Sequence, residues 1–189
     1  MPDARGRVCH TRGMTDAQHA LTDYRRRKDA FFASGRGPIR PPHLETFTGL
    51  SYYPAAPELA FQLPVTRTEG VSVTLQTTTE EERELQAFGT VDVPFPDGVH
   101  TLTLYAQPGE ETPAGLFLPF RDATSAHETY GAGRYMDVPT FARDGDVWVS
   151  LDFNLAYHPY CAYGDGWACP LPPAGNWLPL PVRAGERLP

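Results

Sequence analysis

The spacing of hydrophobic residues changes from a helical period to an alternating one near residue 46. Between Thr15 and about Ala33, apolar positions recur at roughly helical spacing. Thr15 and Gln18 have the spacing of a capping box, and Gly35 follows the last apolar positions. The pattern therefore predicts one amphipathic N-terminal helix over residues 15–33.

Beyond residue 46, short β-rich runs are separated by Pro, Gly or charged turns. In one of them Val71, Val73 and Leu75 alternate with polar residues, as expected of a strand with one buried face. Twenty prolines and 17 glycines also favour turns over a helical bundle. We predict a mainly β fold, a single antiparallel β-barrel or sandwich with one N-terminal α-helix. The predicted strand runs are TFTGLSYY, ELAFQLPV, VSVTLQ, FGTVDVPF, VHTLTLYA, GLFLPF and DVWVSLDFN.

The remaining sequence sets the domain boundaries. Residues 1–14 have no periodic pattern and are interpreted as a disordered leader or a mis-assigned start, with Met14 as the alternative first residue. Residues 15–189 are predicted to form a single domain, in which 15–33 is the helix and 46–189 the β-rich body. A hydrophobic content of 41% is enough for one real core in a chain of this length.

Charge narrows the range of partners. The net charge is −7, with +5 in residues 1–40 and −12 in residues 41–189. An acidic body repels nucleic acid and anionic membranes, so we expect neither as a partner, and YRRRKD is interpreted as a solvated helix face rather than an RNA or lipid contact. Since no membrane span or secretory signal is evident, we expect a cytoplasmic protein with reduced thiols.

Polar residues are concentrated in two stretches, which we call the first signature segment (117–135) and the second signature segment (151–173). Two hypotheses fit the first segment. Arg121 or Arg134 paired with Asp122, Glu128 or Asp152 would form a structural network, because a carboxylate neutralises a buried guanidinium. An arginine left unpaired in a pocket would instead bind a carboxylate or phosphate group.

The second signature segment contains SLDFNLAY. If this run is a strand, Asp152 and Asn154 share one face and present a carboxylate beside an amide. That face is either a polar ligand site in a barrel or a solvated surface. Glu128 or Asp152 would be a general base if burial raised its pKa.

Cys161 and Cys169 are eight residues apart, and glycines between them could form a turn. Two reduced thiols are the interpretation favoured for a cytosolic protein, followed by a disulfide. The third interpretation is a zinc site, with His158 as a further ligand to the two thiolates.

The same segments carry a resemblance to a known family. LFLPFRDATSAHETYGAGRYMDV, LDFNLAYHPYCAY, CPLPP and FTGLSYYP are similar to motifs of the domain of unknown function 1684 family of uncharacterised bacterial proteins. The resemblance extends from the first helix to AGE at 184–186 and implies no particular activity. His158 stands where the family pattern more usually has Asn, and His127 is also a departure, so a family mechanism through either histidine is not expected.

These observations give one leading functional hypothesis and two alternatives. The leading one is binding of a small polar, anionic molecule between the two signature segments. The alternatives are a hydrolase or isomerase that uses a carboxylate acid/base, with or without a metal, and a purely structural role. The candidate ligand-binding residues are Arg121, Asp122, Tyr130, Arg134, Tyr135, Asn154, His158 and Tyr160; the catalytic candidates are Glu128 and Asp152; the zinc candidates are Cys161, Cys169 and His158.

Overall fold

The computed structural model describes residues 15–79 and 81–189, so the predicted leader (1–14) lies outside the described residues. Within these ranges one α-helix precedes ten strands, all of whose pairings are antiparallel. The elements are α1 Asp16–Ala33, β1 Ser51–Tyr52, β2 Ala60–Pro64, β3 Thr66–Arg67, β4 Ser72–Gln76, β5 Glu82–Phe95, β6 Gly98–Ala106, β7 Gly115–Phe120, β8 Arg134–Arg143, β9 Asp146–Asp152 and β10 Glu186–Arg187.

Eight of the strands form a sheet that nearly closes into a barrel, which confirms the predicted fold class. The order is β2-β9-β8-β7-β6-β5-β3, and β4 forms a hairpin with β5. Closure occurs because β2 and β3 are parts of one segment: β2 pairs with β9, and β3 pairs with β5 on the opposite edge. Gly89 lies at this junction, where an added Cβ would be 2.6 Å from the Thr66 carbonyl oxygen. Only glycine permits this approach of the two backbones.

Alternate side chains of the barrel strands point inward and fill its centre. Burying this apolar surface is the main favourable contribution to folding, at about 25 cal/mol per Å². Phe153 packs edge-to-face against Phe120 and Phe61 at one end of this core. The most buried residues of the core, each at most 3% exposed, include Phe88, Val91, Val93, Leu102, Leu104, Leu116, Leu118, Phe120, Met136, Val138, Val149, Leu151 and Phe153. The interior is therefore packed with side chains.

The predicted N-terminal helix is present as α1. The Thr15 side chain accepts from the Gln18 N–H, and the Gln18 side chain accepts from the Thr15 N–H, which is a complete capping box. Past the end of α1, Gly35 has a φ of 73°, the left-handed conformation common after helices. Phe32 is 1% exposed and packs edge-to-face on Tyr163, so α1 lies against the second signature segment.

The chain after β9 runs across the outside of the barrel and returns to α1. Asn176 is fully buried, and its amide bonds the Thr103 N–H and carbonyl and the Pro119 carbonyl. At the end, β10 pairs with β1. No helix among the described residues is long and apolar enough to cross a membrane.

Candidate functional site

Arg134 is held entirely by protein partners. Its side chain is 1% exposed, and Nη2 donates to Asp122 Oδ2 at 2.6 Å and to the Val182 carbonyl at 2.7 Å. Nη1 donates to the carbonyls of Ala184 and Glu186. Four of the five guanidinium N–H donors are thus satisfied internally. This arginine fastens residues 182–186 to the barrel and presents no free edge to a ligand.

Asp122 organises the loop that follows it. Its Oδ1 accepts from the Thr124 N–H at 2.7 Å and from the Thr124 hydroxyl, while Oδ2 faces Arg134. Thr124 and Thr129 are fully buried, and their hydroxyl oxygens lie 2.9 Å apart. The RDATSAHET stretch therefore folds around one ion pair. This is the arrangement that the structural hypothesis describes for the first signature segment.

Arg121 has a different environment from Arg134. Its guanidinium carbon lies 4.7 Å from the centroid of the Trp177 ring, a cation–π contact at the barrel surface. Its backbone N–H donates to the Asn176 carbonyl and its carbonyl accepts from the Leu178 N–H. The side chains of Arg121 and Arg134 therefore have different partners: an aromatic ring for Arg121, and a carboxylate with three carbonyls for Arg134.

Glu128, a catalytic candidate, forms a surface ion pair. Arg183 Nη2 lies 2.7 Å from Glu128 Oε1, and the Tyr53 hydroxyl donates to Oε2 at 3.0 Å. The hydrogen bonds from Arg183, and then from Tyr53, lower the pKa of Glu128 below its usual value. The carboxylate is thus ionised at neutral pH, but its pKa is lowered and not raised by burial as the general-base hypothesis required.

Asp152 and Asn154 do not share a strand face, and this sequence prediction was wrong in its geometry. β9 ends at Asp152, whose Oδ1 accepts from the Asn154 N–H at 2.9 Å and so begins the 3-10 turn Phe153–Leu155. A short polar side chain at such a position competes with strand continuation by capping the turn. The carboxylate and the amide still meet, because Asn154 Nδ2 donates to Asp152 Oδ1 at 2.7 Å. The Asn154 side chain also bonds the N–H and the carbonyl of Ala56, at 2.7 and 2.8 Å.

His158 is buried next to an ion pair that the sequence analysis missed. Its Nε2 accepts from the Tyr130 N–H at 3.2 Å, and its backbone N–H donates to Glu186 Oε2 at 2.7 Å. Lys28 Nζ lies 2.5 Å from Glu186 Oε1. Burial, and then repulsion by Arg134 and Lys28, lower the pKa of His158 to about 3. The imidazole is therefore neutral at physiological pH.

Cys161 and Cys169 form a disulfide, with their Cα atoms 6.5 Å apart. This differs from the two reduced thiols that the sequence analysis favoured, because the turn through Gly164 and Gly166 brings the two ends of the loop together. Both sulfurs are bonded, so neither is available as a zinc thiolate. Within residues 15–79 and 81–189, no group of three or more His, Cys, Asp or Glu side chains is placed to hold a metal ion.

The two signature segments meet at an open groove on the outer face of the barrel, which we call the aromatic groove. Its volume is about 290 Å³. The rings of Phe117 and Tyr135 are 4.8 Å apart and edge-to-face, and Tyr157 packs edge-to-face on Tyr135 at 6.0 Å. The groove is lined by Arg83, Leu85, Gln107, Phe117, Tyr135, Asp137, Tyr157 and Pro170. It thus combines three aromatic rings with one cationic and one anionic side chain.

Hydrogen bonds fix the two tyrosines of the aromatic groove. The Tyr135 hydroxyl donates to the Pro170 carbonyl at 2.5 Å, and the Tyr157 hydroxyl donates to Asp137 Oδ2 at 3.1 Å. Burial raises the pKa of both phenols, and for Tyr157 the nearby Asp137 carboxylate adds to the effect. Both hydroxyls therefore stay protonated, and the groove is preorganised before any ligand enters.

Of the other ligand-binding candidates, Tyr130 touches His158 through its backbone and Tyr160 packs on Phe32 and Trp167. Tyr135 is the one candidate among the eight that lines the aromatic groove. Sequence reasoning missed Arg83 because it lies in the charged TTTEEEREL run, which forms part of the β4–β5 hairpin. The alternation of polar and apolar residues around Arg83 in β5 was the sequence signal that could have placed it in a strand.

Comparisons with known proteins agree with this fold. A family model described as Protein of unknown function (DUF1684) matches residues 45–187. The chain is also similar to the solution NMR structure of an uncharacterized protein from Haloarcula marismortui, with 37% identity and a TM-score of 0.71, covering 92% of this chain and 95% of that one. No curated protein matches the chain. Since that relative is from a haloarchaeon, a bacterial source stays a prediction.

Proposed function

The chain belongs to the family described as Protein of unknown function (DUF1684), and we propose that it is a small-molecule-binding protein whose ligand occupies the aromatic groove. The observation that carries the proposal is the convergence there of both signature segments, through Phe117 and Tyr135 of the first and Tyr157 and Pro170 of the second. Ligand sites are commonly concave, aromatic and largely pre-formed, with a few oriented polar groups. The aromatic groove has each of these properties.

The charges of the groove indicate the class of ligand. Arg83 provides a guanidinium for an anionic group, as the binding hypothesis required of an arginine. Asp137 provides a carboxylate in the same groove, which favours a ligand that also has an ammonium or another hydrogen-bond donor. A volume of about 290 Å³ is at the small end of the range for ligand pockets, so it suits a single ring with its charged substituents. We therefore propose a small aromatic zwitterion, of the size of one amino acid.

The two alternatives have less support from the geometry. Catalysis by Glu128 or Asp152 stays a prediction: the first is an ionised surface carboxylate and the second caps a turn. A structural role describes Arg134 and Asp122 well, since both are buried and paired. That role is compatible with binding, because neither Arg134 nor Asp122 lines the groove.

Ligand-observed NMR with three simple probes tests the proposal. L-Phenylalanine, benzoate and benzylamine present both charges, the anion alone and the cation alone. We expect L-phenylalanine to bind most tightly, since each charge-assisted hydrogen bond contributes about 1.5–3 kcal/mol. Arg83→Gln should weaken L-phenylalanine and benzoate about tenfold, and Asp137→Asn should weaken L-phenylalanine and benzylamine by a similar factor.

Arg143→Gln is the matched control, because Arg143 is an exposed arginine that stacks on Trp148 and does not line the groove. It should leave all three affinities unchanged. The proposal fails if no probe binds saturably up to about 10 mM. It also fails if Arg83→Gln and Arg143→Gln have equal effects, because binding would then depend on general charge and not on this groove.

A further inference from the structure

A second cleft, separate from the aromatic groove, opens between the loop after α1 and the loop between the two cysteines. Its volume is about 480 Å³, and it is formed by residues 38–43 on one side and 163–167 on the other. The cleft and the aromatic groove share no lining residue. We call it the loop cleft.

The wall formed by residues 38–43 places a guanidinium in a fixed position. Arg40 Nη1 donates to the carbonyls of Gly35 and Gly37, at 3.0 and 2.9 Å. Among the described residues, Arg40 makes no other side-chain hydrogen bond, so its Nε and Nη2 donors are left for another acceptor. Two parallel N–H donors of a guanidinium match the two oxygens of a carboxylate.

The opposite wall is aromatic and is also held in place. The Tyr163 hydroxyl donates to Glu186 Oε2 at 2.6 Å, and the Trp167 ring packs edge-to-face on Tyr160 at 4.9 Å. The Trp167 carbonyl accepts from the Thr78 hydroxyl at 3.0 Å. Since both rings are already ordered, a planar ligand would find its apolar contacts without further loss of side-chain entropy.

The disulfide closes this second wall. Tyr163 and Trp167 both lie in the loop whose ends, Cys161 and Cys169, are covalently joined. Cys169 is also tied to the β4–β5 hairpin, since its N–H donates to the Thr78 hydroxyl and its carbonyl accepts from the Thr78 N–H. Breaking the disulfide would free the Cys161 end of the loop and widen the range of positions open to the two rings.

We propose that the loop cleft is a binding site for a planar aromatic monoanion, such as an aromatic carboxylate, and that its affinity depends on the Cys161–Cys169 disulfide. Arg40 binds the anionic group, and Tyr163 and Trp167 contact the ring. Asp165 lines the same cleft, and its carboxylate disfavours ligands with more than one negative charge. Because coupling is reciprocal, a ligand that prefers the closed loop also protects the disulfide from reduction.

2-Naphthoate is a suitable probe, with chemical-shift changes in the backbone amides as the readout. We expect the shifts to map to residues 38–43 and 163–167, and Arg40→Gln to weaken binding about tenfold. Arg36→Gln is the matched control, because Arg36 is an exposed arginine of the same loop that stacks on Phe31. Asp165→Asn should strengthen binding severalfold, a gain that partial unfolding does not produce.

Reduction supplies an independent readout. Dithiothreitol converts the disulfide to two thiols and is itself oxidised to a cyclic disulfide, so the exchange balances. We expect the reduced protein to bind 2-naphthoate several times more weakly, and saturating 2-naphthoate to slow the reduction by a similar factor. Equal binding by Arg40→Gln and Arg36→Gln, or the absence of shifts in residues 38–43 and 163–167, would overturn the site. Equal affinity before and after reduction, with the fold retained, would overturn the role of the disulfide.

Discussion

Replacing Arg134 by lysine tests whether this arginine stabilises the fold by holding residues 182–186 against the barrel. The side chain is 1% exposed and donates four hydrogen bonds, one to Asp122 and three to carbonyls of residues 182–186. Lysine keeps the charge but has three donors on a single nitrogen and no planar fork. At least one of the four acceptors is therefore left unpaired, and one ammonium nitrogen cannot occupy the positions of both Nη1 and Nη2.

The expected loss follows from the number of groups left without partners. One unpaired buried polar group costs about 1–3 kcal/mol, so Arg134→Lys should lower the free energy of unfolding by about 2 kcal/mol. Arg134→Met also leaves Asp122 as an unpaired buried charge, which by itself costs about 3–5 kcal/mol. Domains are stable by about 5–15 kcal/mol, so the methionine variant should be marginal or unfolded.

Urea unfolding followed by circular dichroism measures the effect, with Arg143→Lys as a control of the same chemistry at an exposed position. A double-mutant cycle of Arg134→Lys with Asp122→Asn isolates the pair, and we expect the two effects to be non-additive by about 1 kcal/mol or more. If the free energy of unfolding of Arg134→Lys is within about 0.5 kcal/mol of that of the unmodified protein, as for surface substitutions, Arg134 does not stabilise the fold in this way.

Three further predictions concern other buried groups. The folded-state pKa of His158 is lowered from 6.5 to about 3, so the unfolded chain binds this proton more readily than the folded protein does. The free energy of unfolding should therefore fall as the pH drops below about 6.5, by up to about 1.4 kcal/mol per pH unit. Urea unfolding at pH 7 and at pH 5 should show a smaller difference between the two pH values for His158→Asn than for the unmodified protein. Asn154→Ala leaves the Ala56 N–H and carbonyl unpaired, and urea unfolding should show a loss of about 3 kcal/mol; a loss below about 1 kcal/mol would contradict the pairing. Joint replacement of Cys161 and Cys169 by serine should lower the free energy of unfolding by about 2–3 kcal/mol, from the entropy of a nine-residue loop, and an unchanged denaturation midpoint would show that the disulfide does not constrain the chain.

Much of the fold follows from local patterns. Thr15 and Gln18 mark the start of α1 because a capping box needs only residues three apart, and the structure has both of its hydrogen bonds. The alternation of Val73 and Leu75 with polar residues predicts a strand, since side chains in a strand alternate between faces. Both signals depend on the backbone within a few residues, and no distant contact is needed to interpret them.

The site was less accessible to the same reasoning. The sequence identified the segments that meet at the aromatic groove, but Arg83 was hidden in an acidic run and Glu186 lies far along the chain from its partner Lys28. Asp152 was assigned to a continuing strand, although its side chain caps a turn. In each case the outcome depends on which distant group accepts or donates a hydrogen bond.

By itself, the sequence determined the class of structure, the helix, most strand positions and the two segments that combine charge with aromatic rings. Only the tertiary structure decided that Arg134 is neutralised by Asp122 and hydrogen-bonded to carbonyls about 50 residues away, whereas Arg83 lines an open groove. The physical reason is that secondary structure follows from local sterics and the period of apolar residues. The role of a charged side chain depends on its burial and on the partners it meets, and those are set when the barrel closes.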